Sequence, residues 1–244
     1  MKERPRHGGR RKGAGRKPNG PTAGVPHRRR EPHLARHPVH VTVRAREGLP
    51  SFRGDRLLFE GIERSIAASA KPGFRVVHFS VQSNHLHLIV EADDERTLSR
   101  GMQGLSIRMA LAAHRALGHG GRIFSDRYHA HQLRTPRETR AALLYVLQNW
   151  AKHGKGGHAG TGARTYGPAG TGARSYYDSA SSAAWFDGWT KPPMPPAGPP
   201  IVAAAQTWLV RVGWRRHGLL RPGERPGGEH QRLAAPRTKP AWPA

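Results

Sequence analysis

The chain has 244 residues, no cysteine, and 41 Lys and Arg against 16 Asp and Glu, for a formal net charge of +25. The length allows one sizeable domain or two small ones, and the missing cysteines exclude disulfides and thiolate-bound zinc. So basic a chain suits nucleic acid, and with no apolar run of transmembrane length and no apolar signal core in the first 30 residues it is expected in the cytoplasm, off the membrane.

Residues 1–36 are expected to form a disordered basic arm, rich in Lys and Arg and punctuated by Gly and Pro. Salt-sensitive affinity for DNA phosphates follows from that composition. Order is expected over 37–154. Val39, Val41 and Val43 alternate with His40, Thr42 and Arg44, the period of a half-buried strand. Asp55 is placed to cap a helix whose stripe is Leu58, Ile62 and Ile66. Phe74 to Gln82 reads as a second strand with Val77, Phe79 and Val81 on one face, and Ser83-Asn84 turns it into a third, Leu86 to Val90. Asp93-Asp94-Glu95 opens a second helix with the stripe Leu98, Met102, Leu105 and Met109, and Arg108 lies off that stripe. Residues 122–133 form a strand or extended loop carrying Arg122, Arg127 and Tyr128. Thr135-Pro136 starts a third helix, which runs through Tyr145, Gln148, Asn149 and Trp150. Residues 155–200 read as a Gly/Pro-rich linker, in which Gly-Thr-Gly-Ala-Arg occurs at 160–164 and again at 170–174. Residues 201–244 are a C-terminal extension whose apolar patch, Ile201 to Trp214, is expected to dock as a short helix. Its interleaved Trp and Arg also suit nucleic acid.

The order strand, helix, strand, strand, helix, strand, helix predicts an α+β fold: an antiparallel sheet with helices covering one face. On the third strand His85 and His87 share one face, and Leu86, Leu88 and Val90 share the other. The core takes the leucine face, which leaves the histidine face open. Two imidazoles about 7 Å apart along a strand can reach one divalent metal. Two histidines on a half-exposed sheet are the plainer alternative. On the last helix Tyr145 shares a face with Asn149 at i+4 and with Gln148 at i+3. Either amide oxygen can complete the ligands of a metal that polarises a phosphodiester.

Asn84-His85-Leu86-His87-Leu88, followed by a helix bearing Tyr145 and Asn149, resembles the single-tyrosine transposases of the HUH endonuclease superfamily, and among them the REP-associated tyrosine transposases. The resemblance covers about residues 37–154. It implies a ferredoxin-like sheet and a Mg²⁺ or Mn²⁺ ion held by His85, His87 and Asn149. It further implies that Tyr145 attacks single-stranded or hairpin DNA, leaving a 5′-phosphotyrosine link and a free 3′-OH that allow nicking and rejoining. Two positions depart from the family pattern. Ser83 stands where many relatives have Pro, and Trp150 follows Asn149 where many have Pro. Gln148 stays a rival third ligand. Arg108, Arg122, Arg127 and Tyr128 are the candidate DNA contacts, and a homodimer is an admissible assembly. Two other functions compete. One is a DNA-hairpin-binding protein that no longer cuts. The other is a two-histidine phosphoesterase built on His40-Val41-Thr42 and His78-Phe79-Ser80.

Overall fold

Alternating valines start the sheet. Val39, Val41 and Val43 are at most 2% exposed in β1 (Val39–Arg44), and the side chains between them point to the opposite face. The computed structural model describes residues 31–148, 177–194 and 196–226. Helix α1 (Arg56–Ala67) begins where the Asp55 carboxylate accepts the Leu58 N–H at 3.0 Å. Strands β2 (Phe74–Val81) and β3 (His85–Ala92) pair antiparallel across the turn at Ser83-Asn84. Helix α2 (Glu95–Leu117) is capped by Asp94, which accepts from the Thr97 N–H at 2.6 Å. It ends at Gly118 in the left-handed region, φ 70°. Strand β4 (His129–Gln132) follows, then α3 (Pro136–Gln148). A reciprocal capping box opens α3: Thr135 Oγ1 accepts the Glu138 N–H, and Glu138 Oε2 accepts the Thr135 N–H, both at 3.1 Å.

The four strands form one antiparallel sheet in the order β2-β3-β1-β4. The stripe residues of α1 and α2 pack with Leu86, Leu88 and Val90 in one core layer. Contact there is close: a Cβ at Gly101 of α2 would stand 2.2 Å from the Phe74 ring. The β2 pattern differs from expectation. A bulge between Val76 and His78 moves Val77 out of register, so Val76, Phe79 and Val81 face the helices while Val77 joins the second layer.

The histidine face is not open. Helix α3 lies on that side, its Leu143, Val146 and Leu147 packing with Val77 and Ile89. Helices therefore cover both faces rather than one. Residues 177–190, expected to be linker, pack as well. Ala180 accepts the Val81 N–H at 2.8 Å, which covers the β2 edge of the sheet, and Asp178 is buried against Arg53. The one glycine of this stretch, Gly188, lies against the Trp214 and Phe186 rings, and Phe186 and Trp189 supply its anchors. Helix α4 (Trp208–Arg211) and the 3-10 turn Gly213–His217 complete the layer, with Trp214 fully buried against Phe186. Polar clamps fix the segment. Buried Glu91 pairs with Arg75 and accepts from the backbone N–H groups of Gln206 and Thr207 at 2.8 and 2.9 Å. Arg140 on α3 forks onto Glu224 at 2.8 and 3.0 Å. Most of the expected arm (1–30), the repeats at 155–176 and residues 227–244 lie outside the described residues. Among the described residues no helix is long and apolar enough to cross a membrane.

Candidate active site

The β1–β3 register builds the site. Thr42 stands opposite His87, Arg44 opposite His85 and His40 opposite Ile89. Because side chains alternate, His40, Thr42, Arg44, His85 and His87 share the face that α3 covers. Tyr145 enters from that helix. Its ring meets His87 edge-on at 4.9 Å between centroids and His40 at 5.8 Å. Helix α3 thus places Tyr145 beside His87, and through it beside His85.

The two imidazoles converge through their Nε2 atoms, 3.0 Å apart. The outer nitrogens are held from behind. His85 Nδ1 lies 2.8 Å from Asn84 Oδ1. A carbonyl oxygen only accepts, so Nδ1 carries the proton and the His85 Nε2 lone pair points at His87. His87 Nδ1 lies 3.2 Å from Thr42 Oγ1 and 3.3 Å from His40 Nε2. A lone pair aimed at a second ring nitrogen at this distance needs a proton or a cation between them. Two neighbouring donors about 2.1 Å from an octahedral cation stand about 3 Å apart. The pair thus fits a small divalent metal. Among the described residues no three His, Asp or Glu side chains group to hold a metal. A third ligand from the protein would be of another type or come from elsewhere in the chain.

The two rival amides fare differently. Asn149 lies outside the described residues. Gln148 is fully buried and committed to the C-terminal segment: its amide donates to the Arg221 carbonyl and accepts the Gly223 N–H, both at 2.7 Å. Burial pushes the Tyr145 phenol above its ordinary value of 10, while the Arg44 guanidinium pulls it the other way. At neutral pH the hydroxyl keeps its proton.

The other candidates separate. Tyr128 packs against the α1/α2 core with Ala130, across the sheet from Tyr145. Arg108 also lies on that side, with Arg64 and Arg115 along a cleft of about 400 Å³ between α1 and α2. Arg122 is exposed and binds the carbonyls of Phe124 and Ser125 in its own loop. Arg127 is exposed in the same loop. His40 and His78 do not form a two-histidine centre. Ile89 stands between them, and His78 is covered by Phe186 and within 3.2 Å of Ser182 Oγ. Burial lowers the His78 pKa to about 4.

Three residues at the site carry no role in the sequence reading as metal or nucleophile partners: His40, Thr42 and Arg44. Alternation already placed them on one strand face. What sequence spacing lacks is the β1–β3 register that sets that face beside His85 and His87.

No protein-family model matches the chain, and no curated protein matches it. Among solved structures, one of a REP-associated tyrosine transposase bound to a REP hairpin is similar at a TM-score of 0.44 and 18% identity. The match covers 53% of this chain and 75% of that one.

Proposed function

We propose that the protein is a metal-dependent DNA-nicking and rejoining enzyme of the HUH tyrosine type, on a ferredoxin-like β-α-β-β-α-β sheet. One observation carries the reading: Tyr145 packs on His87, whose Nε2 meets that of His85 at 3.0 Å. A binding protein has no need of a phenol set beside two converging imidazoles. A net charge of +25 supports DNA as the partner.

His85 and His87 hold Mg²⁺ or Mn²⁺ in this proposal, with Asn149 as the third ligand. When bound, the metal polarises the scissile phosphate and stabilises the charge that develops on it. Tyr145 Oη attacks phosphorus, losing its proton, and forms a new P–O bond. The bond to the 3′ oxygen breaks, and that oxygen leaves with a proton as a 3′-OH. Attack by a 3′-OH on the phosphotyrosine reverses the step, rejoins DNA and restores the phenol. Arg44, whose charge reaches Tyr145, favours the phenolate as the proton leaves. Arg122, Arg127, Tyr128 and Arg108 are assigned to DNA contact. Because Tyr128 and Arg108 lie on the far side of the sheet, their contacts would be with DNA that passes around the domain.

Incubation with labelled single-stranded DNA hairpins and Mn²⁺, followed by a denaturing gel, tests this. The expected product is a covalent protein–DNA band that requires metal. Tight hairpin binding with the DNA left intact would instead make the protein a binder that does not cut.

A further inference from the structure

We propose that His40 is a positioning residue: its ring nitrogen, with the Thr42 hydroxyl, accepts the His87 Nδ1–H and so turns the His87 Nε2 lone pair toward His85. The inference rests on the metal-dependent reading above. An imidazole that binds a metal through Nε2 must keep its proton on Nδ1, and the acceptor behind Nδ1 decides that. Among the described residues, Thr42 Oγ1 at 3.2 Å and His40 Nε2 at 3.3 Å reach this nitrogen. A hydroxyl can donate as well as accept, so Thr42 alone leaves the His87 tautomer unset. In its Nδ1–H tautomer His40 presents a lone pair at Nε2, and that lone pair sets the His87 tautomer.

The fold fixes His40 closely. It is 2% exposed in the second strand from the edge, opposite Ile89 on one neighbour and His131 on the other. Its ring lies 5.3 Å from His87 and meets the edge of Tyr145 at 5.8 Å. One side chain thus touches both the candidate ligand and the candidate nucleophile. It transmits the position of β1 to both, as a rigid support behind a reactive pair should.

The test uses the full chain and Mn²⁺ alone, with bound metal followed by the loss of the free-ion paramagnetic signal. His40→Phe keeps a ring of similar bulk but removes the acceptor. His40→Gln gives up the ring but keeps an acceptor oxygen near the Nε2 position. The expected result is a Mn²⁺ affinity about 10- to 100-fold weaker in His40→Phe, with most of it restored in His40→Gln. Thermal unfolding without metal and hairpin affinity serve as controls, and neither should follow that order. Unchanged Mn²⁺ binding in His40→Phe, or equal loss in both variants, overturns the positioning role while leaving the metal site standing. A wild-type protein that binds no Mn²⁺ overturns the metal-dependent reading and this inference with it. Should His40→Phe fail to fold, His40→Leu takes its place: a Mn²⁺ affinity weakened in His40→Leu and largely restored in His40→Gln supports the role, and equal affinity in the two variants overturns it.

Discussion

His85 and His87 are adjacent on one strand face, yet they are supported by different elements. Asn84, the preceding residue in the same chain segment, holds His85, whereas β1 holds His87. His85→Ala and His87→Ala should each abolish metal-dependent cleavage and leave hairpin binding in place, as cleavage and mobility-shift assays on the same preparations would show. Cleavage at wild-type rate by either variant would remove that residue from the metal site. His78 offers a second test at this scale, through stability. Its folded pKa is lowered to about 4, beneath the ordinary 6.5, because burial disfavours the charged ring. Between those values the unfolded chain binds the additional proton. Stability contributed by His78 is therefore complete above about 6.5 and falls as the pH drops toward 4, by roughly 3 kcal/mol across the window. His78→Gln should flatten that stretch of a denaturant-stability profile against pH. A profile with the same slope in the variant would assign the acid sensitivity to other groups.

Among the elements, α3 does the most. It presents Tyr145 to the imidazoles and, through Arg140 and Gln148, grips the C-terminal segment. The amide of Gln148 is therefore structural. Gln148→Ala leaves the Arg221 carbonyl and the Gly223 N–H without their partner, a cost of about 1–3 kcal/mol. It should lower the unfolding midpoint while leaving the metal requirement of cleavage unchanged. Asn149→Ala should do the reverse, raising the Mn²⁺ concentration for half-maximal activity. The opposite assignment of effects would return Gln148 to the metal. Much of this was legible in sequence. Alternation in Leu86 to Val90 separated the leucine and histidine faces, and Asp55, Asp94 and Thr135 marked helix starts that the cap hydrogen bonds match. The β2 bulge was not legible, because an extra residue leaves no mark on a run as apolar as Val76-Val77-His78-Phe79. Nor was the role of His40, which depends on pairing with a strand 47 residues away. Composition misled at 177–190, where turns between Phe186 and Trp189 read as linker although their rings pack in a core with Val77, Ile89 and the α3 residues Leu143 to Leu147, far from them in sequence.

At the scale of the whole molecule, charge and enclosure act together. The net +25 attracts any phosphate backbone, so affinity alone says little about target choice. Deleting residues 1–36, rich in Lys and Arg, should lower the dependence of DNA affinity on salt. The log–log slope should fall by roughly 0.9 for each phosphate the arm neutralises on duplex DNA, and by somewhat less on single strands. Hairpin preference should survive the deletion. An unchanged slope in a salt titration would mean that the arm does not touch DNA. Phe186, Trp189 and Trp214 pack with Leu143, Val146 and Leu147 of α3 in the second layer, and Tyr145 on the same helix is only 7% exposed. In the proposed mechanism DNA must reach this phenol, which makes the identity of the tyrosine that reacts the central claim. Mass spectrometry of the protease-digested adduct, formed with hairpin DNA and Mn²⁺ by wild type, Tyr145→Phe and Tyr128→Phe, addresses it directly. The proposed mechanism predicts the nucleotide on the peptide containing Tyr145, an adduct retained in Tyr128→Phe, and none in Tyr145→Phe despite normal DNA binding. A nucleotide mapped to Tyr128, or an adduct that persists in Tyr145→Phe, would contradict it.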